Sequence, residues 1–305
     1  MRRVRFARVN REQGSAAMSA KSMTSVVTIA GSDSSGGAGI QADLKTMTAL
    51  GVFGQSAITA LTAQNTMGVL GVAETAPDFL ALQIKAIFED IRPDAVKIGM
   101  VANPALIKII AESLRAFEAQ NIVLDPVMIA TSGASLASDD VAQALVEDLF
   151  PLAAVVTPNL SEAEVFSGFA ISKPQDMVNA ARAIRGLGAR AVLVKGGHLE
   201  NTESTDRGDV FEPGHAYDLL LAEDGTEFWL REPRIETKNT HGTGCTLSSA
   251  IACYLAQDCE LVDAVKRAKY YLTQALANDL QLGQGNGPVN HIWHLDTEIK
   301  KPQTC

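Results

Sequence analysis

From Val26 to Gly197 short apolar runs alternate with segments of helical spacing, and this alternation leaves few folds open. The runs "VVTIAG" (26–31), "QSAITALTAQ" (55–64), "AVKIGM" (95–100), "IVLDPV" (122–127), "AAVVTPN" (153–159) and "AVLVKGG" (191–197) read as strands. Between them, 40–50, 77–91, 104–120, 139–150, "SEAEVFSG" and 174–188 carry apolar residues at helical spacing. Strands that are apolar on both faces and alternate with helices predict a mostly parallel sheet covered on both sides. The texture then changes. "YDLLLAEDGTEFWLREPRI" (217–235) predicts an antiparallel hairpin turning at Asp224-Gly225, and two long helices follow it. The expected fold is therefore a three-layer α/β/α arrangement with a small antiparallel hairpin toward the C-terminal half. Without a repeat or a dividing linker, one domain over 24–290 is expected. Residues 1–23 read as a disordered extension and 291–305 as a tail; 200–216 reads as a surface loop, and the Gly-rich chain after Leu282 as irregular.

Composition narrows the partners. With 305 residues, 47% of them hydrophobic, the chain can bury a large core without staples. A formal net charge of −9 argues against a nucleic-acid or membrane-surface binder. No apolar run reaches the ~18 residues of a membrane span. Cys245, Cys253, Cys259 and Cys305 form no CxxC pair, so reduced thiols in a reducing, cytoplasmic compartment are expected. The first 22 residues are Arg-rich and lack a secretory apolar region, which leaves organelle targeting open as the alternative to a plain extension.

In an open parallel sheet, ligands bind beyond the carboxyl ends of the strands. Here those ends read "GSDSSGGAG", "QNTMG", "GM", "DPVM", "TPNLSE" and "KGGH", rich in Gly, Asn, Asp and Lys. The segment "NTHGTGCTLSSA" (239–250) adds a Gly-Thr-Gly turn entering a helix. Such a turn aims backbone N–H groups and the positive end of the helix dipole at one point, an anion hole suited to a phosphoryl group; an ordinary glycine-containing helix start is the competing reading. Cys245 in the first turn is either a base toward a hydroxyl, a shaped contact, or a small filler. Asn159 and Glu162, three apart at a strand-to-helix turn, suit a hydrated Mg²⁺ beside phosphates, or a helix cap, which the local sequence slightly favours. Lys195 before two glycines suits a phosphate contact or a solvated turn. His198 and His241 show no acid partner in the sequence and are not assigned a catalytic role. No GxxxxGK[ST] motif occurs, which excludes a P-loop. The GxGxxA at Gly37, Gly39 and Ala42 is separated from Gly31 by the five residues "SDSSG", too far from the strand for a dinucleotide fold.

Taken in order, "TIAGSDSSGGAGIQADLKT", "ITALTAQNTMGV", "KIGM", "LDPVM", "TPNLSEA", "VKGGH" and "NTHGTGCTLSSAIA" resemble the hydroxymethylpyrimidine/phosphomethylpyrimidine kinases of thiamin biosynthesis, within the ribokinase-like superfamily. The resemblance runs from about Val26 to Pro288. It implies a ribokinase-like fold, a homodimer, and ATP- and Mg²⁺-dependent phosphorylation of 4-amino-5-hydroxymethyl-2-methylpyrimidine and then of its monophosphate. By the same resemblance, Gln64 and Asp43 would contact the pyrimidine, and Gly31, Met100 and Val127 would line its pocket. Lys195, Asn159 and Glu162 would serve the nucleotide and its metal, with Asp125 close to the phosphates. Gly242, Thr243 and Gly244 would form the anion hole, and Cys245 would face the substrate hydroxyl. Two other readings stay in play: a pyridoxal or pyridoxine kinase on the same fold, and a non-catalytic pyrimidine-binding regulator.

Overall fold

The structure, a computed structural model of the full chain, describes residues 23–128, 138–197, 199, 205, 206, 208 and 211–295. The N-terminal extension up to residue 22, parts of the 200–216 loop, His198 and the tail from 296 lie outside the described residues.

Nine strands form one sheet in the order β3-β2-β1-β4-β5-β6-β7-β8-β9. These are β1 (Ser25–Asp33), β2 (Phe53–Asn65), β3 (Gly68–Glu74), β4 (Ala95–Ile98), β5 (Ile122–Leu124), β6 (Val155–Val156), β7 (Val192–Gly196), β8 (His215–Leu221) and β9 (Glu227–Pro233). The central strands from β2 through β7 pair in parallel, while β3, β8 and β9 run antiparallel at the edges.

Alternating side chains of each central strand serve two separate cores, because successive residues of a strand point to opposite faces. Val27, Ile29, Ile98, Leu124 and Val194 pack on one face against α2 (Pro77–Asp90), α3 (Pro104–Ala116) and α6 (Pro174–Gly186). Val26, Ala95, Val123 and Leu193 pack on the other against α1 (Gly39–Ala49), α7 (Thr243–Ala256) and α8 (Leu261–Ala277). That double burial is why the strands read as continuous apolar runs.

Local chemistry sets the boundaries. Pro104 opens α3 while the Asn103 side chain accepts from the Ala105 N–H at 2.9 Å, a cap on an orphan donor. In the β8–β9 hairpin Asp224 Oδ1 accepts from the Thr226 N–H at 2.8 Å and Gly225 takes φ +87°. Two elements differ from the sequence reading. Strand β3 is an addition: the Asn65 carboxamide accepts from the Met67 N–H at 2.8 Å, turns the chain, and sends it back along β2. The helix expected over 139–150 divides into α4 (Asp139–Ala144), a wide turn Leu145–Leu149 and a tight turn Phe150–Leu152. Pro151 lacks the N–H that a continuing helix would need.

No described helix is long and apolar enough to cross a membrane.

Candidate active site

The ends of β1, β4, β5, β6 and β7 meet the start of α7, and two polar clusters form there. The first surrounds Lys195. Lys195, at the end of β7, places Nζ 2.7 Å from Asp125 Oδ1, just past β5, and 4.0 Å from Glu162 Oε2, in the first turn of α5 (Leu160–Ser167). Burial disfavours the ammonium, but the carboxylates of Asp125 and Glu162 outweigh it and hold Lys195 above the ordinary lysine range. Gly244 backs directly onto the pair: a Cβ there would stand 3.2 Å from Asp125 Oδ2 and 3.3 Å from Lys195 Nζ. Ser248, one turn further along α7, donates to Asp125 Oδ2 at 3.4 Å.

Asn159 and Glu162 form a complete capping box. The Glu162 N–H donates to Asn159 Oδ1 at 2.9 Å, and the Asn159 N–H donates to Glu162 Oε2 at 2.8 Å. The cap reading of this pair is therefore realised. Glu162 is also 2% exposed, and burial, with Asp125 adding to it and Lys195 opposing, pushes its carboxyl up to about 7. Among the described residues no group of three or more His, Cys, Asp or Glu is arranged to hold a metal by itself.

The turn that enters α7 is built by backbone contact. Gly242 takes φ +85°, and a Cβ on it would lie 1.9 Å from the Gly37 carbonyl oxygen. Only glycine fits, and the turn is thereby docked on the β1–α1 loop. The Thr243 N–H, first of α7, donates to the Thr240 carbonyl at 3.3 Å, and those of Gly244 and Cys245, with no carbonyl one turn earlier in the helix, can face an anion.

Beneath Cys245 lies a network absent from the sequence reading. Lys97, in the middle of β4, is 0% exposed and pairs with Asp43 Oδ2 at 2.8 Å. Asp43 is equally buried, accepting from Thr28 Oγ1 at 2.6 Å and from Ser249 Oγ at 2.7 Å. Burial opposes the Lys97 charge, but Asp43, the Cys245 sulfur and Asp125 hold it well above the usual lysine range. Asp43, expected at the ring, is fully buried, with both its oxygens engaged by protein donors. A lone lysine inside the apolar run "AVKIGM" was the available signal, since a lysine in a strand covered on both faces needs a buried partner. Burial pushes the Cys245 thiol up to about 11, with Lys97 opposing and Asp43 and Asp125 adding to the rise.

The second cluster surrounds Asp33. Asp33, at the end of β1, accepts from the N–H groups of Ser35, Gly37 and Ala38 at 2.9, 3.0 and 2.8 Å. His241 Nε2 stands 2.8 Å from Asp33 Oδ2 and 3.2 Å from the Gln64 carboxamide. Burial resists ionisation of Asp33, yet the hydrogen bonds from His241, Ser35 and Ala38 hold its carboxyl well below the usual range. His241 therefore has the acid partner that the sequence did not reveal, 208 residues away. Gly31 is buried, and a Cβ on it would meet Met100 Cε at 2.6 Å, so these two expected lining residues are neighbours. Val127 follows Asp125 and is partly buried.

A half-buried lysine and two buried carboxylates packed behind a glycine turn, at the strand ends of a sheet covered by helices on both sides, make a site for a phosphate-bearing ligand, and the proteins this chain resembles are small-molecule kinases of the ribokinase-like class. A family model described as phosphomethylpyrimidine kinase matches residues 33–290. A Rhizobium meliloti hydroxymethylpyrimidine/phosphomethylpyrimidine kinase is 50% identical over 280 residues, spanning 90% of this chain and 100% of that one. Among solved structures, a phosphomethylpyrimidine kinase from Clostridium difficile 630 superposes with a TM-score of 0.70 at 43% identity, covering 83% of this chain and 99% of that one. A Bacillus subtilis pyridoxal kinase, solved as an ADP complex, superposes with a TM-score of 0.78 at 37% identity, covering 88% and 98%. The chain belongs to the phosphomethylpyrimidine kinase family.

Proposed function

We infer that this chain transfers the γ-phosphoryl group of ATP to the hydroxymethyl arm of 4-amino-5-hydroxymethyl-2-methylpyrimidine, and then to the resulting monophosphate, in thiamin biosynthesis. The observation that carries this reading is the Lys195–Asp125–Glu162 cluster packed behind Gly244, with the Gln64 carboxamide on the opposite side of the α7 turn. Phosphoryl transfer needs little covalent help; it needs positioning and charge stabilisation. In this reading the N–H groups after Gly242 and the Lys195 ammonium meet the negative charge of the transferring group. Mg²⁺ would be held through water by Glu162 and Asn159 beside the nucleotide phosphates, where it would neutralise their charge. Hard oxygen donors few in number suit this ion, which keeps most of its water and is completed by phosphates.

Cys245 stands where the acceptor hydroxyl must approach. Its thiol is neutral at physiological pH, because burial lifts it to about 11. A neutral thiol contacts the hydroxyl without repelling it, and equally tolerates a second substrate that already bears phosphate. Lys97 sits below it, fixed by Asp43, and supplies a buried positive charge to the floor of the site. Gly31, Met100 and Val127 line the ring pocket in this reading.

The likeness to a pyridoxal kinase favours a second reading, phosphorylation of pyridoxal. Gln64 argues for the pyrimidine, because a carboxamide offers a donor and an acceptor to an aminopyrimidine edge. A pyrimidine-binding regulator would have no use for the intact Lys195 cluster. The exposed Leu61, Leu70 and Val72 on β2 and β3, beside Phe79 and Leu82 of α2, support a homodimer closed over that edge. Four cysteines with no disulfide among the described ones suit a cytoplasmic enzyme.

The test is direct. Purified protein is given Mg·ATP and, separately, the hydroxymethylpyrimidine, its monophosphate and pyridoxal, and the products are read by mass spectrometry. Mono- and then diphosphate is the expected result. Pyridoxal phosphate alone would overturn the ring assignment, and no product at all would favour the regulator.

A further inference from the structure

We propose that Asp33 and His241 are positioning residues that fix which way round the Gln64 carboxamide faces, and so set the ring chemistry the site accepts. The proposal rests on the reading of Gln64 as the ring contact, and it starts from hydrogen count.

Asp33 Oδ2 already accepts the N–H groups of Gly37 and Ala38, and Oδ1 accepts that of Ser35. Backbone N–H groups can only donate, so this carboxylate is an acceptor on both oxygens. His241 Nε2, 2.8 Å from Oδ2, must therefore carry the hydrogen. The same single hydrogen can reach the Gln64 side chain, 3.2 Å from Nε2, only as the longer arm of a three-centre contact shared with Asp33. A carboxamide NH₂ placed there would oppose donor to donor. A half-turn about the last side-chain torsion exchanges nitrogen for oxygen in the same space and satisfies the contact. Oε1 of Gln64 is thereby assigned to His241, and the NH₂ is turned away from it.

The consequence is chemical. Gln64 presents an NH₂ donor beside an oxygen whose second lone pair is free. That pair matches a ring nitrogen adjacent to an exocyclic amine, as on a 4-aminopyrimidine edge. A pyridine bearing a phenolic hydroxyl has no such edge.

The device is stiff. The imidazole lies against Gly37, where a Cβ would meet His241 Cδ2 at 2.4 Å. The backbone of Gln64 is clamped by the same loop: its N–H donates to Ser34 Oγ at 2.8 Å, and Ser34 Oγ donates to its carbonyl at 2.7 Å. His241 also immediately precedes Gly242, so ring recognition and the anion-hole turn share one backbone.

Two measurements decide the proposal. Long-range ¹H–¹⁵N spectra of the histidine rings in the full, unliganded protein, with the His241 signal identified by its loss in His241→Gln, should show Nε2 protonated. A bare Nε2 would overturn the proposal, and this arm is independent of any turnover. In kinetics, His241→Leu should raise KM for the hydroxymethylpyrimidine several-fold, up to the about tenfold worth of one well-made hydrogen bond, while kcat and the KM for ATP stay within about twofold. His241→Gln, which restores an N–H near the Nε2 position, should recover most of the loss. Added to Gln64→Ala, His241→Leu should cost nothing further. Full additivity of the two changes, or a collapse of kcat with KM unmoved, would show that His241 does not act through Gln64. If the wild-type protein turned over no pyrimidine, the proposed function would fail while the spectra still judged the hydrogen-bond assignment.

Discussion

The docking of Gly242 on Gly37 makes the turn into α7, the proposed anion hole, unusually sensitive to one methyl group. In Gly242→Ala the new Cβ would stand 1.9 Å from the Gly37 oxygen and 3.0 Å from its carbonyl carbon. Carbon–oxygen contacts ordinarily begin near about 3.3 Å, so the turn and the β1–α1 loop must part by roughly 1 Å or more. A displacement of about 1 Å at a site of phosphoryl transfer can cost around 10²-fold in rate. The φ of +85° adds strain of roughly 1–2 kcal/mol for any residue with a Cβ. Gly51→Ala separates the two effects. Gly51 has φ +72°, a methyl added to it would find nothing within 4 Å, and it follows α1 at the end remote from the site. Both variants should lose a few °C in Tm, but only Gly242→Ala should lose about 10²-fold in kcat. Steady-state ADP release and thermal unfolding by circular dichroism read the two quantities. A Gly242→Ala enzyme with wild-type kcat and the same Tm loss as Gly51→Ala would refute the assignment of this turn to the transferring phosphoryl group.

Three further residues carry expected outcomes. Lys195→Met should lower kcat by about 10²–10³-fold, the usual loss for one preorganised charge donor, and an effect under tenfold in steady-state assays would remove Lys195 from the phosphate site. Cys245 should alkylate slowly: a thiol near 11 instead of 9.0 holds about a hundredfold fewer thiolates at neutral pH, so the rate of iodoacetamide labelling, followed by mass spectrometry, should keep climbing past pH 9 instead of levelling there. Cys245→Asp should keep the first phosphorylation and lose the second preferentially, and equal loss of both steps would sink the argument from charge. Glu162→Gln should raise Tm in the absence of nucleotide, because the folded protein binds the Glu162 proton more tightly than the unfolded chain between 4.5 and about 7. Wild-type stability therefore falls as pH rises through that window, and the advantage of the variant should grow from pH 5 to 8; a difference that shrinks over that range would contradict the cause given for the shift.

Much of the fold could be read from the sequence because each central strand is buried on both faces and reads as an unbroken apolar run. Strand β3 escaped because it is an exposed edge: Leu70 is 81% exposed, and "GVLGVAE" shows neither alternation nor a buried run. The Gly-Thr-Gly turn was legible because its chemistry is local. Lys97 and Asp43 were not, because their meaning is a contact made across 54 residues, between the middle of a strand and the face of a helix. The same holds for Asp33 and His241, at opposite ends of the chain until the sheet closes. The pair Asn159 and Glu162 shows the converse. Its spacing fits two roles, and the fold realises the cap from the pair's own atoms, whereas holding a metal calls on phosphates that no sequence spells out.

The most direct measurement is a competition in one tube. Equimolar 4-amino-5-hydroxymethyl-2-methylpyrimidine and pyridoxal share limiting Mg·ATP, and mass spectrometry reads the product ratio at low conversion, which equals the ratio of kcat/KM values. Pyrimidine mono- and diphosphate should exceed pyridoxal phosphate by more than about tenfold, the contribution of one good hydrogen-bonded edge. Pyridoxal phosphate as the major product would contradict the reading of Gln64 and, with it, the ring specificity assigned to the whole site.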